Sequence, residues 1–124
     1  MNQVVFIAVG GAVGAVLRYL VSTGVYQWWG RGFPWGTLVV NVVGSLAMGL
    51  LYVLLLERAI SGPEWRAGLL IGLLGAFTTF STFSIETLML VEQGEPTKAA
   101  ANALFSVGVC IGAAWLGVAA GRQL

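Results

Sequence analysis

The sequence predicts an all-α membrane protein with four transmembrane helices, and three observations lead to that class. Of its 124 residues, 58% are hydrophobic and 9% are charged, whereas a soluble domain carries about 25% charged residues. The apolar residues fall into four runs, each near the ~20 residues that cross a bilayer. Short loops separate the runs. A soluble bundle would need a polar outer face, so we expect one four-helix membrane domain over residues 1–124.

The first two predicted helices cover about residues 4–25 and 35–56. The stretch Met1-Asn2-Gln3 lacks the positive charge of a signal peptide, and the apolar run after it is too long for one. We therefore expect this run to remain as a membrane helix. A loop rich in tryptophan and glycine is expected over residues 27–32, and Pro34 suits the first turn of the second helix.

The third and fourth predicted helices cover about residues 65–92 and 97–121. Ser61-Gly62-Pro63 predicts the turn before the third helix, and Gly94-Glu95-Pro96 predicts the turn after it. Aromatic residues lie near several predicted helix ends, as in the interfacial belt of membrane proteins. These residues are Tyr26, Trp28, Trp29, Trp35 and Trp65.

The basic residues give no preferred orientation in the membrane. Four helices place both termini on one side, and the six basic residues divide evenly between the sides. They are Arg58, Arg66 and Arg122 on one side, and Arg18, Arg31 and Lys98 on the other. Because the lysine and arginine bias of short loops sets orientation, we expect the chain to insert both ways. Two opposite copies would then pair as an antiparallel, dual-topology homodimer.

Small residues recur at four-residue spacing, which lets helices approach closely in lipid. The pairs are Gly10 with Gly14, Gly68 with Gly72, Gly108 with Gly112, and Gly117 with Gly121. For any single pair, packing within one subunit is favoured over a contact between subunits.

Residues 75–84, in the middle of the third predicted helix, read Gly-Ala-Phe-Thr-Thr-Phe-Ser-Thr-Phe-Ser. This composition is poor for a regular helix. The hydroxyls can satisfy freed backbone groups, so a break is tolerable if it is buried in protein. Broken helices near the bilayer centre are recurrent ion sites. The alternative is a continuous helix whose hydroxyls bond to the preceding turn.

Polar residues at i, i+4 and i+8 mark one face on each of two other helices. The two faces consist of Thr37, Asn41 and Ser45, and of Asn102, Ser106 and Cys110. An amide in hydrocarbon is costly unless it is paired or lines water. The faces therefore predict either a polar track or hydrogen bonds between helices.

The hydrogen-bond donors on these predicted helices favour binding of an anion. Hydroxyl and amide N–H groups can replace water around it, and phenylalanine ring edges carry the positive part of the ring quadrupole. Phe80 and Phe83 lie three residues apart and can share a face, although phenylalanines in membrane helices more often pack against lipid or core. Glu86 is the one carboxylate expected in or near the membrane, unless it snorkels to the interface.

Three stretches resemble the Fluc (CrcB-type) fluoride channels. They are GGAVGAVLRY at residues 10–19, GTLVVNVVGS at residues 36–45 and GLLGAFTTFSTFSIE at residues 72–86. The resemblance covers all four helices in order, and its third motif is the most specific. It implies an antiparallel, dual-topology homodimer with two pores that exports fluoride passively across the bacterial cytoplasmic (inner) membrane.

The resemblance also implies roles for individual residues. It implies a fluoride pore with the ring edges of Phe80 and Phe83, the amide of Asn41, and the hydroxyls of Ser81 and Thr82. Thr37 and Ser106, from the two polar faces, are expected on the same path. Arg18 is expected in an aqueous vestibule. The backbone carbonyls of Gly75 and Thr78 are expected to hold a structural Na+ at the dimer interface. The thiol of Cys110 is a poorer hydrogen-bond donor than a hydroxyl.

The alternative function is a proton-coupled small multidrug transporter, which needs a carboxylate deep in its first helix. This chain has no acidic residue before Glu57. A non-transporting membrane-assembly protein would leave the polar tracks unexplained. We do not expect an enzyme, because no nucleophile–base pair, phosphate loop or metal cluster is visible. A net charge of +1 gives no sign of a nucleic-acid partner.

Overall fold

The computed structural model describes residues 2–124, and it is all-helical; residue 1, included in the domain prediction, lies outside this range. The elements are α1 (Asn2–Trp29), α2 (Trp35–Leu51) with a π-helical continuation (Tyr52–Glu57), α3 (Pro63–Arg66), a second π-helical stretch (Ala67–Leu73), α4 (Leu74–Phe77), α5 (Phe80–Glu92) and α6 (Pro96–Gln123). They form four spans of 28, 23, 30 and 28 residues, each long and apolar enough to cross a membrane. The prediction of a four-span, multi-pass membrane protein is confirmed.

Helix α1 is longer than predicted. The segment 27–29, expected in a loop, continues the helix, and the chain turns only at Gly30. Gly30 has φ +77°, and its N–H donates to the carbonyl of Tyr26 at 2.8 Å. A left-handed glycine just after the last turn is a common helix stop. The predicted end at residue 25 was therefore wrong, because aromatic interfacial residues were interpreted as loop.

The third and fourth spans begin slightly earlier than predicted, at Pro63 and Pro96. Proline is favoured in the first helical turn because its missing N–H has no partner there in any helix. The second span ends at Glu57 through its π-helical stretch, one residue beyond the prediction.

Glycines let α1 lie directly against the π-helical stretch of the third span. A Cβ added to Gly14 would collide with the backbone carbonyl of Leu73, and one added to Gly72 would lie 2.6 Å from the carbonyl oxygen of Ile7. Gly117 and Gly121 make a similar seam between α6 and the second span. A Cβ on Gly108 or Gly112 would meet no atom within 4 Å. Three of the four glycine pairs thus pack within the chain.

The α1 seam gives a stability prediction. Replacing Gly14 with alanine is expected to destabilise the fold by about 1–3 kcal/mol, the usual range for overpacking, because the rigid backbone at Leu73 cannot move aside. The matched control is Gly24→Ala on the same helix, where the added methyl meets nothing within 4 Å and should be neutral or stabilising. Thermal unfolding in detergent measures both. Equal melting temperatures for the two variants would contradict the seam.

The third span is interrupted between α4 and α5. Thr78 has φ −90° and ψ 160°, and Thr79 has φ −152° and ψ 125°, so both residues are extended. β-Branched residues lose side-chain freedom in a helix and favour extended backbone. The Thr79 hydroxyl then caps α5 by accepting the N–H of Thr82 at 3.2 Å. The interruption lies inside the segment 75–84.

A cleft beside the interrupted helix as candidate ion site

A cleft of about 390 Å³ opens beside the interruption. We call it the central cleft. Helix α2 contributes Asn41 and Ser45, α6 contributes Ser106, and α5 contributes Phe80 and Phe83. Parts of both polar faces and the phenylalanine pair, which are far apart in sequence, therefore meet at one site. Cys110, Thr78 and Thr79 complete its polar lining.

Asn41 clamps the extended backbone. Its Nδ2 donates to the carbonyl of Thr79 at 3.0 Å, and its Oδ1 accepts the N–H of Thr79 at 2.8 Å. The amide thus pairs with Thr79 as a neighbouring strand would. An asparagine amide carries two N–H donors, so one remains available to the central cleft.

The same contacts release two backbone carbonyls from helical hydrogen bonding. In a regular helix, the N–H of Thr79 would donate to Gly75 and that of Thr82 to Thr78. Here they donate to Asn41 and to the hydroxyl of Thr79. Gly75 is also exposed on the surface of the chain. Carbonyls without helical partners are hard oxygen ligands that suit Na+, so the oxygens of Gly75, in the last turn of α4, and of the extended Thr78 fit the expected cation.

Arg18 lies at the interruption rather than in the central cleft. Its half-buried guanidinium donates through Nε to the carbonyl of Ala76 at 3.1 Å. This carbonyl is in the last turn of α4, where carbonyls lack helical partners. This bond ties Arg18 to the end of a helix, and the vestibule role of Arg18 stays a prediction.

Three residues predicted for the pore lie outside the central cleft. The hydroxyls of Ser81 and Thr82 lie 3.4 and 3.2 Å from the hydroxyl of Thr79, in the cap of α5. They project sideways from the face that carries Phe80 and Phe83, because only residues three or four apart share a helix face. Thr37 is buried one turn before Asn41, with its hydroxyl 3.5 Å from that of Tyr26.

The phenylalanine pair forms the aromatic wall of the central cleft. The ring centroids of Phe80 and Phe83 are 5.5 Å apart, with the ring planes tilted by 47°. Phe83 is half-buried, but Phe80 is 76% exposed on the isolated chain. The cleft is therefore open on the side of Phe80.

Asn102 joins two helices instead of lining the cleft. It is 2% exposed, and its Nδ2 donates to the hydroxyl of Thr87 at 2.8 Å. Its Oδ1 accepts from the hydroxyl of Ser106 at 3.2 Å. Thr87 was not among the predicted site residues, although its position four residues after Phe83 puts it on the same helix face.

Tyr26 was predicted as an interfacial aromatic, but its hydroxyl bonds inward. It donates to Oε2 of Glu86 at 2.9 Å. The other carboxylate oxygen, Oε1, is buried and has no hydrogen-bond partner among the described residues. This pairing joins residues 60 positions apart, and no local pattern signals it.

The chain is similar to known proteins over nearly its whole length. Residues 5–118 match the family described as "CrcB-like protein, Camphor Resistance (CrcB)". A relative named fluoride-specific ion channel FluC from Geobacter sulfurreducens is 52% identical over the full length of both chains. One with the same name from Shewanella amazonensis is 55% identical over 94% of each chain.

A third relative with that name, from Methylococcus capsulatus, is 53% identical over the whole of this chain. The chain spans 55% of that relative's length. The family match covers all four spans, including the interruption and every residue of the central cleft. The protein therefore belongs to the CrcB-like family.

Proposed function

We propose that the protein is a fluoride-selective channel through which fluoride leaves the cytoplasm passively across the bacterial inner membrane. The observation that carries the proposal is the central cleft, a group of neutral donors beside an interrupted helix. None of the described residues that line it is charged. Neutral donors hold an anion strongly enough for entry and weakly enough for exit. The names of the relatives support fluoride as the ion and a channel rather than an enzyme.

The lining indicates how an anion exchanges its water. The free N–H of Asn41 and the hydroxyl of Ser45 can donate hydrogen bonds to it, and the Ser106 hydroxyl can do so once it turns away from Oδ1 of Asn102. The rings of Phe80 and Phe83 can turn their positive edges toward it. These groups stand in a low-dielectric surrounding, where each donor acts more strongly than in water.

An antiparallel homodimer completes this site in our proposal. The cleft is open where Phe80 is exposed, and Gly75 lies on the chain surface, so a second copy can cover both. The even division of basic residues permits such a pair to form. In the dimer, the carbonyls of Gly75 and Thr78 from both copies would hold Na+, which would supply positive charge at the subunit interface.

The dual topology gives a prediction of its own. A reporter fused to the C-terminus, one form active only in the cytoplasm and the other only outside it, should be active on both faces. Adding two lysines after Leu124 breaks the even balance and should shift the population toward a cytoplasmic C-terminus. Activity on one face alone in the unmodified chain would contradict the prediction.

Efflux from liposomes tests the channel itself. Purified protein is reconstituted with potassium fluoride inside, and valinomycin is added to carry potassium. A passive channel releases fluoride only after valinomycin, because charge must be compensated, and it needs no pH gradient. The multidrug-transporter alternative would instead give pH-driven export of a quaternary ammonium dye without fluoride release.

A further inference from the structure

A hydrogen-bonded bridge lies one helical turn away from the central cleft. The hydroxyl of Tyr26 lies 2.9 Å from Oε2 of Glu86 and 3.5 Å from the hydroxyl of Thr37. Thr37 comes four residues before Asn41 on α2, and Glu86 comes three residues after Phe83 on α5. Residues at these spacings are neighbours on a helix surface. The bridge therefore adjoins the cleft on two of its walls.

A second cavity lies on the other side of the bridge. This outer pocket has a volume of about 290 Å³, and Tyr26, Glu86, Arg31 and Gln93 contribute to its lining. The guanidinium of Arg31 lies over the Tyr26 ring, 4.5 Å from its centroid. Tyr26 and Glu86 line this pocket, while Asn41 and Phe83, one turn from Thr37 and Glu86, line the cleft. The bridge therefore stands between the two spaces.

The position of Glu86 is a problem for an anion that passes here. A carboxylate repels an anion over several ångströms, and more strongly away from water. The hydroxyl of Tyr26 is the donor that holds Oε2, while Oε1 is buried without a partner among the described residues. Arg31 and Glu86 are the charged groups lining the outer pocket. Oε2 has one hydrogen-bond donor, and Oε1 has none among the described residues. Loss of the Tyr26 hydroxyl would therefore leave the Glu86 carboxylate free to change its orientation.

We propose that Tyr26 is a positioning residue that holds the Glu86 carboxylate aside from the anion path between the central cleft and the outer pocket. The inference rests on the proposed channel function and adds a selectivity device to it. The Thr37 hydroxyl lies 3.5 Å from that of Tyr26 on the α2 side, and the Arg31 guanidinium covers the ring from the outer pocket. The outer pocket, with its guanidinium, then serves as the mouth at which an anion arrives.

The test is a double-mutant cycle measured as fluoride efflux from liposomes. Tyr26→Phe removes only the hydroxyl oxygen and should lower efflux roughly tenfold, because the released carboxylate meets the anion. On a Glu86→Gln background, where that charge is absent, the same substitution should change efflux less than about twofold. Tyr19→Phe is the matched control and should leave efflux unchanged, since that tyrosine is 67% exposed on the isolated chain and lines neither the central cleft nor the outer pocket.

Each other outcome has a defined meaning. If Tyr26→Phe lowers efflux equally in the unmodified protein and on the Glu86→Gln background, the hydroxyl acts on the ion itself and the positioning role is wrong. Unchanged efflux in Tyr26→Phe also overturns it. Size-exclusion profiles that match the unmodified protein exclude misfolding. Absence of efflux from the unmodified protein would instead be a failure of the proposed channel function.

Discussion

Replacing Phe80 or Phe83 with isoleucine is expected to lower fluoride efflux by at least about a hundredfold, the change produced by ~2.7 kcal/mol of added barrier. The rings form one wall of the central cleft, with centroids 5.5 Å apart. Isoleucine fills similar space but has no ring edge to offer an anion. The initial rate of valinomycin-triggered efflux from liposomes measures the loss.

The control for this prediction is Phe105→Ile. Phe105 is 61% exposed on α6 and does not line the central cleft, so the same substitution there should leave efflux near that of the unmodified protein. All three variants should elute at the same volume from a size-exclusion column. Efflux that survives in both Phe80→Ile and Phe83→Ile would remove the rings from the mechanism.

Asn41→Asp is also expected to reduce fluoride efflux by about a hundredfold or more. An aspartate can still accept the N–H of Thr79, but it loses the donor to the Thr79 carbonyl, a bond of 3.0 Å in the structure. Its charge also faces the central cleft, where a carboxylate a few ångströms from an anion costs several kcal/mol at an effective dielectric near 20. Loss of the hydrogen bond to Thr79 and gain of the negative charge are therefore both expected to lower efflux.

Asn41→Ala separates these two effects. Alanine removes the clamp without adding charge, and leaves the backbone groups of Thr79 without their partner, at about 1–3 kcal/mol for a buried polar group. We expect it to lose stability and part of its efflux, but less efflux than Asn41→Asp. Equal efflux in the two variants would mean that charge at this position does not act on the ion.

Much of the fold could be predicted because the signals are local. Hydropathy and turn residues located four spans. The break expected within residues 75–84 stays a prediction, which the extended backbone of Thr78 and Thr79 supports. The end of α1 was missed, since Trp28 and Trp29 fit an interfacial helix end as well as a loop, and a single left-handed glycine decides the stop.

The candidate site was harder to predict, because helix periodicity gives a face but not its partner. Two residues of each polar face do line the central cleft with Phe80 and Phe83, whereas Thr37 and Asn102 lie outside it. Arg18, however, bonds the carbonyl of Ala76, and Tyr26 bonds Glu86 across 60 residues. Such pairings depend on helix rotation and on which carbonyls an interruption frees, and neither is encoded in local spacing.

The central claim is that neutral donors beside an interrupted helix replace the water of one small anion. The most direct measurement uses liposomes loaded with equal concentrations of fluoride and chloride, with both ions followed after valinomycin addition. The account predicts rapid loss of fluoride while chloride stays inside. Release of both ions at similar rates, or of chloride alone, would contradict it.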